Sequence, residues 1–378
     1  MIMPGNRMAD PVIALPADID SIPDVPAVFL LWPKSFSDKA GQPYLVRTGK
    51  LRRRLKRLLS SKEGMSRMLN LSGVIERIEY WQVGSQLSST LTYLQLAQQH
   101  FPDDWQRMTR LRHPAFLRLT LDNPFPRTMI STRPGRGLTF GPFLTRTAAE
   151  IFEAGLLDLF QIRRCEENLE PTPEHPGCMY GEMNRCMRPC QQAVSRDEYR
   201  NEVARVEQFL LTRGTSLKEP AEVGRDNASQ EMRFEEAAHL QQRVERIIET
   251  QNNGGPLARA IEHLAGVAVV PGINADCVEL WLLINSHWQP RIVISVEESA
   301  GVGRSLDHRL REKITALEPS GAPNLDHVAV LTKWYGSSWR DGEWIELPVG
   351  EKPWASRIPY RKLVNAIARI ASGQHKLN

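Results

Sequence analysis

Cys165, Cys178, Cys186 and Cys190 fall within 26 residues, separated by twelve, seven and three positions, and no other stretch holds more than one cysteine. Four thiolates so grouped can hold a metal centre; the same four could pair as two disulfides. Composition argues against disulfides, because five cysteines in 378 residues are too sparse for a stapled secreted scaffold and Cys277 makes the number odd. Tetrahedral zinc and an iron–sulfur cluster both suit four thiolates, and spacing does not separate them. The segment is dense in proline and glycine and poor in aliphatics, so it cannot build a core of its own; a metal would supply the missing stability. Cys277 lies in an apolar strand pattern and reads as an inert buried thiol.

A second chemistry is electrostatic. Between Tyr44 and Lys62 the chain carries eight cations and no acid: Arg47, Lys50, Arg52, Arg53, Arg54, Lys56, Arg57 and Lys62. Leu51, Leu55, Leu58 and Leu59 recur at helical spacing, so the stretch predicts an amphipathic helix with a basic face. Such a face attracts phosphate backbones, with affinity that falls as salt rises. Elsewhere acids outnumber bases slightly, for a net of +4 over the whole chain. No apolar run approaches the roughly 18–20 residues of a membrane span, and Met1–Asp18 lacks a signal pattern. With the cysteine usage, this points to a soluble protein of the reducing cytoplasm with no membrane partner.

The elements that must position these residues follow from periodicity. Residues 1–25, rich in proline and aspartate, read as a loose arm. Ala27–Trp32, Pro43–Arg47 and Val74–Val83 read as strands, and Ser88–His100 as a helix. Leu117–Leu121 alternates and Arg127–Thr132 can pair with it, while Arg133–Pro142, with Gly135, Gly137 and Gly141, reads as a flexible junction. Thr147 to Glu150 and Ser195 to Glu198 read as capping boxes. Pro220 and Gly224 suggest a break before a helical hairpin over Asn227–Glu249 with Phe234 at its turn. Beyond Asn252, strands (Val267–Val270, Val278–Leu283, Arg291–Val296, His327–Leu331) alternate with helices (Leu306–Leu317, Tyr360–Ile370).

Laid out in this order, the chain resembles the front part of the UvrC excinuclease subunit family, from about residue 25 to about residue 345. Three blocks carry the resemblance. They are Phe140-Gly141-Pro142-Phe143 leading to Ile162-Arg163 and Cys165-Glu166; the cysteine set with Arg188-Pro189-Cys190 and Glu198-Tyr199; and Ala228-Ser229, Met232, Phe234-Glu235 and Ala237-Ala238, which are similar to the UVR motif. The resemblance implies a multidomain α/β chain. Its parts would be an arm (1–25), a GIY-YIG-like domain (26–110), a connector (111–145), a helical four-cysteine segment (146–215) and a UVR-like hairpin (216–252). An α/β domain (253–347) and a C-terminal helix and tail (348–378) would follow. It also implies a [4Fe-4S] cluster on the four cysteines, with zinc as the alternative. A UvrB-like helicase would dock on the hairpin through Phe234, Glu235 and Arg243, and DNA would contact Arg47, Lys50, Arg52, Arg53 and Arg57.

A GIY-YIG nuclease needs two tyrosines, an arginine and a glutamate that holds one divalent metal. Here Ala27-Val28-Phe29 stands at the first tyrosine and Tyr44-Leu45-Val46 at the second, Arg47 replaces a lysine, and Arg54 falls at the arginine position. The glutamate is missing: no glutamate occurs between Glu79 and Glu150, and Thr92 or Tyr93 holds its place. Without a carboxylate a lone Mg²⁺ has little to hold it. The expected C-terminal RNase H-like nuclease and helix-hairpin-helix fall outside this sequence. The residues therefore favour a DNA- and UvrB-binding pseudonuclease of nucleotide excision repair. Two alternatives stand beside it: a single-incision endonuclease using Tyr44, Arg54 and Mg²⁺ or Mn²⁺, and a metal-dependent regulatory protein on the same scaffold.

Overall fold

The structure, a computed structural model, describes residues 10–34, 41–59, 71, 73–296, 305–319, 323–350 and 353–373. Lys62, the first nine residues of the expected arm and the end of the tail lie outside the described residues. The chain divides into two compact units, one of residues 1–112 with 265–378 and the other of residues 113–264. The stretches expected as a GIY-YIG-like domain and as a later α/β domain thus fall largely within one unit.

In that unit β1 (Val12–Ala14), β2 (Ala27–Pro33), β3 (Tyr44–Thr48) and β4 (Ile75–Gln82) form an antiparallel sheet of order β1-β4-β2-β3. The apolar run of β2 is continuous because both of its faces are covered. Ala27, Phe29 and Leu31 meet Leu51, Leu55 and Leu58 of α1 (Leu51–Leu59), whereas Val28 and Leu30 meet Leu96 and Ala97 of α2 (Gln86–His100). Helix α3 (Trp105–Thr109) follows. The described part of the arm is not loose: β1 adds an edge strand against β4, and Ile22 is buried.

In the second unit β5 (Ala115–Leu119), β6 (Thr128–Ser131) and β7 (Leu138–Phe143) lead into α4 (Arg146–Leu159), α5 (Met179–Glu182), α6 (Arg196–Leu211), α7 (Thr215–Gln230), α8 (Phe234–Asn253) and β8 (Arg259–Ala260). The sheet order is β6-β5-β7-β8. The expected junction over Arg133–Pro142 is corrected in its second half, where every residue of β7 is buried, while residues 133–137 are exposed and irregular as expected. Gly141 does not loosen the strand, because Phe140 and Phe143 anchor it on Phe152 of α4. Helix α4 starts earlier than expected, with Thr145 rather than Thr147 accepting the capping N–H, from Ala148. Ser195 and Glu198 do form a reciprocal capping box. Pro220 does not break α7. Proline forgoes one bond, to Ser216, and both residues are exposed, so water can take the freed carbonyl.

The chain then returns to the first unit with β9 (Gly266–Pro271), β10 (Cys277–Ile284), β11 (His287–Trp288), β12 (Ile292–Ser295), α9 (Leu306–Thr315), α10 (Leu325–Tyr335), β13 (Glu343–Glu346) and α11 (Tyr360–Ala371). The second sheet of this unit runs β11-β10-β9-β13, with β12 also on β10. Leu310, Ile314, Leu363 and Ile367 of α9 and α11 pack on it. The expected strand His327–Leu331 is helical, within α10. Buried on all sides, it shows neither period, and the informative signal was Asn324, whose side chain caps the helix by accepting the Asp326 N–H. Gly84, just before α2, faces Gly272 so closely that an added Cβ would collide with its carbonyl. The architecture is mixed α/β with three sheets.

Candidate metal centre and nucleic-acid interface

The cysteine segment leaves α4 at Phe160 and is fastened before it reaches its first thiol. The Gln161 N–H donates to Glu202 Oε1 at 2.8 Å, and the Gln161 carbonyl accepts from the Met187 N–H at 3.0 Å, which draws the Cys186 turn toward the stretch that leads to Cys165. Arg163 is 1% exposed. Its guanidinium donates to the carbonyls of Phe125 and Glu167, each at 2.8 Å, and approaches Cys165 Sγ at 3.7 Å. Its N–H donates to Tyr199 Oη at 3.0 Å, and that hydroxyl donates to the Pro126 carbonyl at 2.8 Å. Arg163 and Tyr199 lie in phrases the sequence had singled out, but their job as an internal brace was legible only in three dimensions.

Asn184, Arg188 and Gln192 take left-handed backbone, which folds the second half of the segment into tight turns. The Cys190 carbonyl accepts the Thr172 N–H at 3.0 Å. Cys186 and Cys190 are buried, Cys165 is half-buried and Cys178 is exposed. The four thiols feel one another. Burial first, and then the charges of Cys165, Cys178 and Cys190, push the Cys186 thiol up to about 11. Cys190 is raised in the same way by burial and by Cys165 and Cys178.

Those shifts keep Cys186 and Cys190 as neutral thiols in the metal-free chain, and a bound metal would have to displace their protons. The donor set fits a thiolate-bound metal centre in its chemistry. In geometry it is not preassembled, since no group of three or more His, Cys, Asp or Glu side chains among the described residues is placed to hold a metal ion. Cys277, expected as a buried thiol, is half-buried at the start of β10.

Helices α7 and α8 pack as an antiparallel hairpin, cross-linked by Arg225 Nη1 donating to Gln241 Oε1 at 2.9 Å. At the tip Met232 takes a left-handed conformation, and Met232 and Phe234 are 75% and 68% exposed. Arg233 bridges Glu231 and Glu236 behind them. Glu235 is exposed, and Arg243 is half-buried one helical stretch away.

Helix α1 exposes Arg52, Arg53, Lys56 and Arg57, with Lys50 just before it and Arg54 half-buried. The expectation of a helix without compensating acid is corrected by the fold. Asp24 Oδ1 accepts the Arg53 N–H at 3.0 Å, and Asp20 ion-pairs with Lys56. Lys56, by hydrogen bond and charge, holds the Asp20 carboxyl below its usual range. Arg53 and Arg57 keep their charges turned to solvent.

At the nuclease-like positions, Phe29 is fully buried against α1 and Tyr44 is 36% exposed at the start of β3. Arg47 lies on the α2 side of the sheet. It donates to Thr90 Oγ1 at 3.4 Å, and its guanidinium carbon stands 5.2 Å from the Tyr93 ring centre. Burial raises the Tyr93 phenol above its ordinary value, opposed by Arg47 and reinforced by Tyr44. The structure thus gathers Tyr44, Arg47, Thr90 and Tyr93, while β3, α1 and α2 contain no acidic residue. Glu79 is ion-paired with Arg77 at 2.8 Å.

Residues 115–209 match the middle domain of the UvrC/Cho excinuclease family. Among curated proteins the chain is similar to UvrABC system protein C of Rickettsia felis, 28% identical over 207 residues, which is 54% of this chain and 32% of that protein. The protein of the same name from Rickettsia bellii is 28% identical over 209 residues, with the same shares. That from Rickettsia africae is 27% identical over 207 residues, again 54% of this chain and 32% of the relative. The matched region spans about a third of these relatives' length. No solved structure matches the chain.

Proposed function

The chain is a UvrC-like family member, and from that premise we propose that it acts in nucleotide excision repair as a DNA- and UvrB-binding pseudonuclease. One observation carries this reading. The helix on which the nuclease resemblance requires a metal-holding carboxylate, α2, contains no acid, and Tyr93 in its place is engaged by Arg47. Metal and carboxylate together would neutralise the charge that builds on the phosphodiester, and a site without the carboxylate forfeits many orders of magnitude in rate. Two carboxylates from elsewhere reach α2, and both are engaged: Glu279 is buried against Ser88, Trp281 and Arg291, and Asp341 accepts the Gln86 N–H and Trp334 Nε1–H. What remains serves binding: Arg53 and Arg57 for a DNA backbone, and Met232 and Phe234 on the hairpin tip for the UvrB-like partner.

Cys165, Cys178, Cys186 and Cys190 would hold the metal centre, a [4Fe-4S] cluster in this reading and zinc in its alternative. A bound centre would cross-link four positions of a loop that lacks a core of its own. Arg163 and Tyr199 fix the Cys165 end of that loop whether or not metal is present.

The test is incision of a damaged duplex by purified protein with UvrB and Mg²⁺ or Mn²⁺. No cleavage, together with UvrB capture that is lost in Phe234→Ala, is expected. Cleavage abolished by Arg54→Ala would instead establish the endonuclease alternative, and absence of UvrB capture would favour the regulatory one. Anaerobic purification with an absorption spectrum and metal analysis distinguishes iron from zinc. A brown colour lost in Cys186→Ser is expected, and one equivalent of zinc would overturn the cluster.

A further inference from the structure

The first unit contains an open cavity of about 550 Å³ that shares Arg47 and Thr90 with the nuclease-like positions and extends to α10. Arg47 and Thr48 of β3, Ser89 and Thr90 of α2, and Lys333 of α10 line it. Both cations lack a carboxylate partner among the described residues, and Lys333 is exposed. The two cations line the same cavity, where partial burial of the ammonium and then the charge of Arg47 lower Lys333 from its ordinary value. Two cations and one acid line the cavity, which leaves an excess positive charge that a phosphate would offset.

The cavity's one acid, Asp341, is already committed. It accepts the Gln86 N–H at 2.5 Å and Trp334 Nε1–H at 3.1 Å. Asp341 also ends a turn that begins at Ser337, and both residues line the cavity. Between them Trp339 is 77% exposed, the most exposed large apolar side chain among the described residues. The turn that carries it is ordered by its own bonds. The Trp339 N–H donates to Ser337 Oγ at 3.2 Å, the Arg340 N–H donates to the Ser337 carbonyl at 3.1 Å, and the Arg340 guanidinium lies over Tyr335 at 4.5 Å.

We propose that this cavity and turn bind single-stranded DNA, with a backbone phosphate between Arg47 and Lys333 and an adjacent base stacked on Trp339. A flat, solvent-facing indole beside a cationic pocket is the arrangement by which proteins hold unpaired strands without reading sequence. In a duplex the base faces are already stacked on their neighbours, so Trp339 selects the unpaired strand. The site is separate from the α1 face and rests on the proposed repair role only for the choice of DNA as the polymer.

Fluorescence anisotropy of a labelled 12-nucleotide oligo-dT with the full chain tests it. Trp339→Ala is expected to weaken binding about 5- to 100-fold, the range for losing one base stack. Trp339→Phe should keep most of the affinity, and Lys333→Glu should weaken binding at least tenfold. The double variant Arg53→Ala/Arg57→Ala should lose more affinity for a duplex than for the short single strand. Undiminished binding by both Trp339→Ala and Lys333→Glu overturns the site. If only the α1 double variant loses affinity, the α1 face is the binding surface and the repair reading survives. A wild-type chain that binds neither single strand nor duplex sinks both readings. Trp339 and Lys333 are exposed, so folding of the variants, checked by circular dichroism, should be unchanged.

Discussion

Ser88 and Glu279, 191 positions apart in the chain, meet in the interior of the first unit, where the Ser88 hydroxyl donates to a Glu279 carboxylate that is 1% exposed. Arg291 Nη1 at 3.0 Å and Trp281 Nε1 at 3.2 Å also donate to that carboxylate. The bond joins α2 to β10, and so ties the helix that lacks its expected acid to a strand that supplies one. The acid is used for cohesion. A carboxylate saturated by a guanidinium, an indole and a hydroxyl has little capacity left for a metal ion.

Breaking this group from the carboxylate side should be severe. Glu279→Ala leaves Arg291 with no counter-charge and the buried Ser88 hydroxyl without its acceptor, which places the loss at about 3–5 kcal/mol. Ser88→Ala removes one donor while the ion pair survives, and should cost about 1 kcal/mol. Urea unfolding of the two variants checks the ranking. Equal losses would mean that Glu279 is not the hub described here.

The brace under the cysteine segment makes a second prediction. Tyr199→Phe removes a fully buried hydroxyl that accepts from Arg163 and donates to the Pro126 carbonyl, leaving both groups unmet. A loss of about 1–3 kcal/mol is expected. Because the Arg163 backbone N–H then loses its acceptor two residues before Cys165, thiol alkylation of Cys165 should also quicken in the metal-free protein. Unchanged stability with unchanged alkylation would show that Tyr199 does not brace the loop.

Much of this was legible in the residues, for physical reasons that differ by element. Strands β2 and β4, helix α1 and the hairpin announced themselves through apolar spacing. The capping box at Ser195 was local chemistry and needed no partner. The second half of Arg133–Pro142 failed as a loop because Gly141 marks where a backbone can bend but says nothing of Phe152, against which β7 packs. His327–Leu331 failed as a strand because a segment buried on every side loses the period that tells helix from strand. The four cysteines were visible as a cluster of donors, but Arg163 as the buried cation beside them was not, since an arginine in sequence gives no sign of which way it faces. Asp20 and Asp24 escaped for the same reason: charge balance along the chain is not charge balance in space.

The hairpin tip makes a prediction of no effect. Phe234 is 68% exposed, so Phe234→Ala should change stability by no more than about 0.5 kcal/mol, the range for surface positions. Any loss of partner capture in this variant then reports on docking. A drop in thermal midpoint of many degrees would mean that the ring packs inward in solution and is not available as an anchor.

The last prediction concerns acid. His327 is 6% exposed and lies 4.4 Å from His287 between ring centres; its Nδ1 accepts the Trp288 N–H at 3.0 Å. Burial, and then the neighbouring His287, hold its pKa down at about 3 against an ordinary value of 6.5. The folded chain therefore keeps His327 neutral while the unfolded chain protonates it. Its contribution to stability is fully present above pH 6.5 and is lost as pH falls from 6.5 toward 3. The loss should steepen to at most about 1.4 kcal/mol per pH unit for this one proton. His327→Asn keeps an acceptor for Trp288 but removes the titration. Urea midpoints at pH 7.5, 5.5 and 4.5 should converge in the variant more than in the wild type, and parallel declines in the two proteins would exclude His327 as the source.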